Sequence, residues 1–262
     1  MRLADQSIVL TGAASGIGLA LLERLAAHPV RLLAADLNAE ALEAARRRLT
    51  AGPARLHPWA CDLSSAAAVD RLFEEAIARL GRIDLFIANA GFAYYERIEK
   101  PDWERLEKIY RVNVFNTIYA VEKMQALYGR RPYKVVITAS AMAQIAVPGY
   151  AIYASTKAAL DRFVDSYRWQ LDDPRKLMVV YPISTRTGFF RAAGEGVPLP
   201  WPSQSPQAVA RAIEAGIRRD RMRVFPSTIY WLILCLDRFL PMHWLVQVIE
   251  QRRFERWLEK QK

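Results

Sequence analysis

Short apolar runs alternate with helical patterns through most of the chain, and this alternation constrains the fold more than any other feature. Between the runs, apolar residues recur at the three- and four-residue steps that place them on one face of a helix. A strand, helix, strand order repeated in this way predicts an α/β fold with a parallel, doubly wound sheet. The runs that predict buried strands are SIVLTG, VRLLAAD, ARLHPWACDL, IDLFIANAG, YKVVITAS and KLMVVYPI.

The first run leads into a glycine-rich turn, TGAASGIG, that opens the next helix. Without Cβ atoms, Gly12, Gly16 and Gly18 let a pyrophosphate approach the backbone amides and the positive end of that helix. Asp36 follows at the end of the second strand, where a carboxylate accepts hydrogen bonds from an adenosine ribose and repels a 2′-phosphate. The pattern predicts a Rossmann-type dinucleotide site that prefers NAD(H) to NADP(H). A plain glycine-rich turn is the alternative.

The stretch YAIYASTKAAL, at 150–160, places two tyrosines and a lysine on one helix face. Tyr150 and Tyr153 precede Lys157 by seven and four residues, steps that stay in phase with a helix. A phenol titrates near ~10, and a neighbouring ammonium together with a cationic nicotinamide lowers that pKa. A tyrosine here can therefore exchange a proton while hydride moves. We assign this role to Tyr153, because Tyr150 follows a Pro-Gly pair and is expected to precede the helix.

The same spacing recurs at Tyr119 and Lys123, so spacing alone does not identify the site. No serine-ended strand lies ahead of this second pair, and Leu106 stands at the equivalent position. We interpret the pair as ordinary packing on the face of a long helix predicted from Trp103 to Leu127.

Taken in order, these motifs resemble those of the short-chain dehydrogenase/reductase family over residues 5–187. The resemblance implies an NAD(P)-dependent enzyme that transfers hydride between nicotinamide and a secondary alcohol or ketone. It also implies that Ser140 holds the substrate oxygen, Lys157 the nicotinamide ribose and Asn113 a proton-relaying water, beside Tyr153 as the acid or base. The residues that the resemblance assigns to the cofactor are Gly12, Ser15, Gly16, Ile17, Gly18, Asp36, Asp62, Leu63, Asn89, Ala90, Gly91, Tyr153, Lys157, Pro182 and Thr187.

One position departs from the family pattern. The family has Pro-Gly after the sixth strand, whereas this chain has Pro182-Ile183, and an isoleucine narrows the backbone conformations available beside the nicotinamide. The expected preference for NAD(H) also rests on Ser15 and Leu37, because NADP-using relatives often carry basic residues there. A non-catalytic dinucleotide-binding scaffold or sensor is the alternative function, and the presence of all four catalytic residues argues against it.

Apolar residues near the expected pocket indicate a lipophilic small-molecule substrate. The segment 188–206 is rich in Gly, Pro and Ser and is expected to form a mobile substrate loop. The main substrate candidates are Phe92, Met142, Tyr150 and Phe189, joined by Tyr94, Ile145, Phe190 and Trp201.

We expect a catalytic domain over residues 1–223 and an apolar, helical C-terminal extension over 224–262. The charge-free run from Val224 to Leu236 is too short to span a bilayer, and Asp237, Arg238 and Pro241 interrupt it. Packing on the body or on a second subunit is one interpretation. The other is a flap at a membrane surface, because tryptophans and basic residues occur together. These residues are Trp231, Trp244, Trp257, Arg252, Arg253, Arg256 and Lys260.

Composition narrows the remaining classes of protein. The net charge is +10 with a sequence pI near 9.8, but no recognised nucleic-acid-binding module accompanies the charge. Cys61 and Cys235 form no disulfide framework, and the three histidines lack metal-ligand spacing. With no signal peptide in the first residues, we expect a cytoplasmic, metal-free protein with at most peripheral membrane contact.

The family resemblance further implies a homodimer or homotetramer. In such proteins the helices that carry Asn113 and Tyr153 pair with their copies across a two-fold axis. The apolar side chains proposed for this surface are Ile109, Phe115, Ile118, Leu160, Phe163 and Trp169.

Overall fold

All six apolar runs form strands of one parallel sheet, which confirms the predicted α/β fold of the Rossmann type. The computed structural model describes residues 1–200, 202–237, 240 and 242–260, so Trp201, Arg238 and Pro241 lie outside the described residues. A short seventh strand completes the sheet, whose order is β3-β2-β1-β4-β5-β6-β9. Its strands are β1 (Ser7–Thr11), β2 (Arg31–Asp36), β3 (Arg55–Ala60), β4 (Leu85–Ala88), β5 (Lys134–Thr138), β6 (Leu177–Val180) and β9 (Arg223–Val224).

Helices cover both faces of this sheet, and a separate pair of two-residue strands, β7 (Ser184–Thr185) and β8 (Ser203–Gln204), lies apart from it. The helices are α1 (Gly16–Ala26), α2 (Ala39–Leu49), α3 (Ala66–Leu80), α4 (Trp103–Tyr110), α5 (Asn116–Tyr128), α6 (Ala151–Tyr167), α7 (Phe189–Ala193), α8 (Pro206–Arg218), α9 (Thr228–Asp237) and α10 (Met242–Lys260).

The central strands are continuous apolar runs because each face of the sheet carries its own core. On β1, Val9 points into the core shared with α3, α5 and α6, whereas Ile8 and Leu10 point into the core shared with α1 and α8. All five residues of β1 are buried. A parallel sheet covered on both faces selects apolar residues at every position, not at alternate ones.

The order of the strands places the functional residues at one edge of the sheet. The chain runs outward from β1 to β3 and then returns to lay β4 on the other side of β1. The carboxyl ends of β1 and β4 therefore diverge toward helices on opposite faces. A crevice opens at this reversal, which is where open α/β sheets bind their ligands.

The predicted long helix from Trp103 is not one regular α-helix. Residues Arg111–Phe115 form a π-helical turn between α4 and α5. Asn113 lies in the middle of the turn and is fully buried.

The segment 188–206 contains more regular structure than the predicted loop. Helix α7 begins directly after Gly188, and β8 pairs with β7 through Ser184 opposite Ser203. Phe190 is buried among aromatic side chains. The Gly and Pro residues of the segment 188–206 favoured the prediction of a loop, whereas apolar packing stabilises a short helix there.

The C-terminal extension consists of α9 and α10, which follow β9. Tyr230 anchors α9, because its hydroxyl contacts both the carbonyl oxygen of Ala141 and the side-chain oxygen of Gln144 at 3.1 Å. Within the described residues, no helix is both long and apolar enough to cross a membrane. The large apolar side chains that α9, α10 and the link between them leave exposed are Ile229, Trp231, Leu232, Leu236, Leu240, Trp244, Leu245 and Ile249.

The surface proposed for subunit pairing is smaller than expected. Ile109 and Leu160 are fully buried within one chain, so assigning them to a subunit interface was wrong. Phe115 and Trp169 remain 55% and 74% exposed. Ile109, on α4, packs in an aromatic cluster with Tyr150 and Phe190, whereas Leu160, on α6, packs in the core against the sheet.

Candidate active site

The glycine-rich turn after β1 is shaped by two steric requirements. Gly12 has a φ of +64°, a conformation that residues with a Cβ rarely adopt. A Cβ on Gly18 would overlap the carbonyl oxygen of Gly12, so only glycine lets the start of α1 pack this closely on the turn. The turn lines one end of a cleft of about 1090 Å³, and Gly12 and Gly16 border that cleft.

Two aspartates border the same end of the cleft. The carboxylate of Asp36 accepts hydrogen bonds from the backbone amides of Ala14 at 2.9 Å and Asn38 at 3.0 Å. Asp62 accepts from the amide of Ser64 at 3.0 Å. Among the described residues, no lysine or arginine forms an ion pair with Asp36, and Leu37 beside it is 74% exposed. A negative carboxylate thus faces the cleft without a basic side chain to balance it.

A hydrogen-bond network ties the ends of β1, β4 and β5 together. The hydroxyl oxygen of Thr11 accepts from the amides of Asn89 and Ala90 at 3.0 and 3.1 Å. The side-chain amide of Asn89 donates to the carbonyl oxygens of Thr11 and Gly12, both at 3.2 Å. Its oxygen accepts from the hydroxyl of Thr138, also at 3.2 Å. Asn89 therefore fixes the glycine turn to the strand that ends near Ser140.

Ser140, Tyr153 and Lys157 meet at the other end of the cleft. Ser140 caps a short 3₁₀ turn, where its hydroxyl oxygen accepts a hydrogen bond from the Met142 amide at 3.1 Å. The ammonium nitrogen of Lys157 lies 5.6 Å from the centroid of the Tyr153 ring and donates to the carbonyl oxygen of Thr138 at 2.9 Å. All three predicted residues are buried and line the cleft. Thr138, which the sequence did not single out, positions the lysine.

The electrostatics of this group differ from the expectation. Burial raises the pKa of Tyr153 to about 12, with the hydrogen bond from Ser140 opposing the shift, and burial lowers the pKa of Lys157 to about 8. The expected lowering of the Tyr153 pKa is therefore wrong for the protein alone, because desolvation is the largest influence on this phenol. In this state Tyr153 is a protonated donor at neutral pH.

Asn113 lies beneath the cleft, not on its surface. Its side-chain oxygen accepts from the amide of Phe92 at 3.0 Å, and its amide donates to the carbonyl of Phe92 at 2.9 Å and to the hydroxyl of Thr156 at 3.1 Å. These bonds join the π turn to the segment after β4 and to α6. In the structure Asn113 acts as a positioning residue for the helix that carries Tyr153.

Most residues assigned to the site from the sequence border one continuous cleft. Gly18 and Asn113 are the two assigned residues that do not line it. Ile145, considered as a substrate contact, belongs to the apolar core instead. The assigned residues that line the cleft are Gly12, Ser15, Gly16, Ile17, Asp36, Asp62, Leu63, Asn89, Ala90, Gly91, Phe92, Ser140, Met142, Tyr150, Tyr153, Lys157, Pro182, Thr187 and Phe189.

The position that departs from the family pattern causes no backbone strain. Positive φ angles outside glycine occur, within the described residues, only at Asp5 and Asp220, so Ile183 has an ordinary conformation. Its side chain packs against the core beneath α5 and α6. Next to it, the hydroxyl of Ser184 borders the cleft and has no hydrogen-bond partner among the described residues.

Aromatic side chains enclose the substrate end of the cleft. Phe189 lies edge-on to the Tyr153 ring at 5.5 Å between centroids, and Phe190 lies 6.2 Å from Tyr150. Tyr150 precedes α6 as predicted, and its side chain is fully buried. It forms part of the inner wall.

The end of α10 supports this wall from behind. The ring of Tyr95 lies 4.7 Å from Tyr150 on one side and 4.8 Å from Trp257 on the other, measured between centroids. Phe254 completes the stack at 5.4 Å from Tyr95. The sequence held no local signal for this contact, because it joins residues far apart in the chain.

A sequence model described as short chain dehydrogenase matches residues 6–197, which is more than half of the chain. The chain belongs to the short-chain dehydrogenase/reductase family. It is similar to human epidermal retinol dehydrogenase 2, with 26% identity over 92% of this chain and 80% of that protein. It is also similar to 1-deoxy-11-beta-hydroxypentalenate dehydrogenase of Streptomyces avermitilis, with 33% identity over 70% of this chain and 69% of that protein.

Solved structures of family members share the fold. A short chain dehydrogenase/reductase from Burkholderia phymatum, in complex with NAD, superposes with a TM-score of 0.79 at 22% identity and covers 91% of this chain and 95% of its own. A short-chain dehydrogenase from Sphingobium yanoikuyae, in complex with NADPH, gives 0.76 at 23% identity over 89% and 93%. At these identities the likeness establishes the shared fold.

Proposed function

We propose that this family member is a nicotinamide-dependent oxidoreductase that interconverts a lipophilic secondary alcohol and its ketone. The observation that carries the proposal is one cleft with the glycine turn at one end and the Ser140, Tyr153 and Lys157 group at the other. Turnover of a panel of secondary alcohols and ketones with each cofactor tests it. Cofactor binding without any turnover would favour the alternative of a non-catalytic sensor or scaffold.

The cleft fits a nicotinamide dinucleotide. A pyrophosphate needs close backbone approach, and Gly12, Gly16 and the start of α1 provide it. Asp36 suits a ribose hydroxyl, while the unpartnered hydroxyl of Ser184 suits a polar group at the opposite end, beside Thr187. When bound, the cofactor supplies or accepts the hydride.

We further propose a preference for NAD(H). The carboxylate of Asp36 repels a 2′-phosphate, and neither Ser15 nor Leu37 offers a cation in its place. Relatives with either cofactor share the fold, so this preference depends on these side chains. Fluorescence titration with NADH and NADPH measures it, and tighter binding of NADPH would contradict it.

In the proposed reaction, Tyr153 exchanges a proton with the substrate oxygen. During ketone reduction the phenol, which is protonated at neutral pH in the free protein, donates its proton to the carbonyl oxygen. Ser140 holds that oxygen by a hydrogen bond. Below a pH of about 8, the ammonium of Lys157 stabilises the phenolate that remains. In the direction of oxidation the same phenolate takes the hydroxyl proton.

The aromatic wall supports a lipophilic substrate. Apolar contacts gain roughly 0.8 kcal/mol per buried methylene, so kcat/KM should rise by up to about fourfold per added carbon until the cleft is full. A series of secondary alcohols of increasing length measures this rise. A preference for short, polar alcohols would contradict the proposed substrate class.

We also propose that the exposed face of α9 and α10 rests on an anionic membrane surface. Trp231 and Trp244 are 50% and 59% exposed, and both suit the interface between lipid and water. Arg252, Arg256 and Lys260 are exposed farther along α10. Co-sedimentation with phosphatidylserine vesicles should be strong at low salt and weak at high salt. A Trp231→Ser/Trp244→Ser variant should lose it, and unchanged sedimentation of that variant would refute the assignment.

Pairing of two copies through α5 and α6 is the proposed assembly. Phe115 and Trp169 supply exposed apolar surface beside these helices. Light scattering at micromolar concentration should show a dimer or tetramer, and a stable monomer would contradict this proposal.

A further inference from the structure

Tyr150 carries a buried hydroxyl that the chain does not satisfy. The residue is fully buried, and its hydroxyl has no hydrogen-bond partner among the described residues. A buried hydroxyl without a partner costs about 1–3 kcal/mol. The side chain lines the cleft, so a bound molecule is positioned to supply the missing partner.

The surroundings of Tyr150 leave its hydroxyl as a donor. Its ring contacts Tyr95, Phe190 and Tyr153, which cover it with aromatic surface. Burial raises the pKa of Tyr150 far above its ordinary value, and the charges of Tyr95, Tyr153 and Glu250, when ionised, add to the shift. The phenol therefore keeps its proton at every physiological pH.

The acidic side chain whose charge acts on Tyr150 already has a partner. Glu250 is buried on α10 and forms an ion pair with Arg253 at 2.7 Å. The hydroxyl of Ser140, by contrast, accepts a hydrogen bond from the Met142 amide at 3.1 Å. Within the described cleft, Tyr150 thus presents a polar group that is separate from the catalytic ones.

We propose that Tyr150 forms a second polar subsite, which binds an oxygen atom of the substrate remote from the reacting carbon. This inference rests on the proposed function. Both tyrosines line the cleft and their ring centroids lie 6.2 Å apart, so one ligand in the cleft is large enough to contact both residues. The fitting substrate class is a lipophilic alcohol or ketone with a second hydroxyl, ether or carbonyl oxygen several bonds away.

The subsite confers selectivity because only some positions of the second substrate oxygen allow a hydrogen bond to Tyr150. In an apolar cleft, an added hydroxyl on the substrate loses its water and gains nothing unless a partner meets it. A correctly placed substrate oxygen accepts a hydrogen bond from the Tyr150 hydroxyl, so that both polar groups gain a partner. The enzyme should therefore favour one position of the second oxygen along the substrate and disfavour the others.

The experiment compares wild type, Tyr150→Phe and the control Tyr119→Phe. The test substrates are a medium-chain secondary alcohol and diols that carry a second hydroxyl at successive positions. Wild type should show a maximum of kcat/KM at one position. In Tyr150→Phe, the ratio of kcat/KM for that diol to kcat/KM for the simple alcohol should fall by about 5- to 20-fold. Tyr119→Phe, whose hydroxyl contacts Asp70 outside the cleft, should keep the wild-type profile.

A melting experiment without substrate gives an independent reading. Because Tyr150→Phe removes an unsatisfied hydroxyl, its Tm should rise by about 2–4 °C. A lower Tm would overturn the subsite, since it would mean that Glu250 or a trapped water already satisfies the hydroxyl. An unchanged diol profile in Tyr150→Phe would overturn the subsite alone. Wild type that turns over none of the alcohols would overturn the proposed function, and the Tm comparison would still decide whether the hydroxyl is unsatisfied.

Discussion

Replacing Lys157 with methionine should abolish turnover and yet make the cofactor-free protein more stable at neutral pH. The lysine is buried, and within the described part of the chain its ammonium has one hydrogen-bond partner, the carbonyl of Thr138. Methionine has a similar length without the charge. The variant should therefore separate the contribution of this residue to chemistry from its effect on folding.

The size of the gain follows from the pKa. Burial lowers the pKa of Lys157 from 10.5 to about 8, and each tenfold change in proton affinity corresponds to about 1.4 kcal/mol. The buried charge thus destabilises the folded state by about 3 kcal/mol at pH 7. Loss of the hydrogen bond to Thr138 in the variant lowers the free energy of unfolding by about 1 kcal/mol and offsets part of the gain. We expect a net gain of about 2 kcal/mol in the free energy of unfolding.

The sign of the pH dependence is fixed by the direction of the shift. Below the folded pKa of about 8, the lysine is charged in both states and the full destabilisation is present. Between that pH and 10.5 the folded lysine is neutral while the unfolded one keeps its proton, so wild type gains stability as pH rises. The advantage of Lys157→Met should fall to near zero at about pH 9.5.

Urea unfolding of both proteins at the two pH values, without added dinucleotide, measures this difference. Comparing the proteins at the same pH cancels the titration of every other group. The matched control is Lys123→Met in the second Tyr-Lys pair, where the lysine is partly exposed and paired with Asp70. It should lose a little stability, equally at both pH values. A Lys157→Met variant less stable than wild type at pH 7, or a difference independent of pH, would refute the reasoning.

Three further substitutions test the site. Tyr153→Phe removes the transferable proton and should lower kcat by at least about a hundredfold with cofactor binding intact. Tyr119→Phe should retain turnover. Equal losses of kcat in the two variants would show that the two Tyr-Lys pairs were assigned wrongly. Asp36→Ala should narrow the difference between the dissociation constants of NADH and NADPH in a fluorescence titration, and an unchanged ratio would place the discrimination elsewhere. Gly18→Ala, whose new methyl group would overlap the carbonyl of Gly12, should lower the free energy of unfolding by about 1–3 kcal/mol and weaken NADH binding.

The sheet could be predicted because its signal is local. Each central strand is buried on both faces, so its residues are apolar without interruption and the run itself marks the strand. The glycine turn could be predicted for the same reason, since steric limits act between residues a few positions apart. The π turn could not. Its sequence, RVNVF, contains neither proline nor glycine, and the bonds that hold Asn113 come from Phe92 and from Thr156 on α6.

The pKa values of Tyr153 and Lys157 could not be predicted from the sequence, for a different reason. A sequence reveals that Tyr153 and Lys157 are neighbours on one helix, and pairwise attraction between them predicts a lower phenol pKa. It does not reveal how completely the fold removes both groups from water. In the structure that removal is the larger effect for both residues, and it raises the pKa of one and lowers that of the other.

The C-terminal segment shows why two interpretations of one sequence can both have structural support. Its tryptophans and arginines fit packing on the body as well as contact with a membrane, since both environments suit an amphipathic helix. In the structure, Phe254 and Trp257 pack behind the substrate wall, whereas Trp231 and Trp244 face outward on the other half of the segment. Tyr95 joins Trp257 to Tyr150 through direct ring contacts. A membrane surface bound by α10 would therefore be connected, through packed aromatic rings, to the wall that would select the substrate.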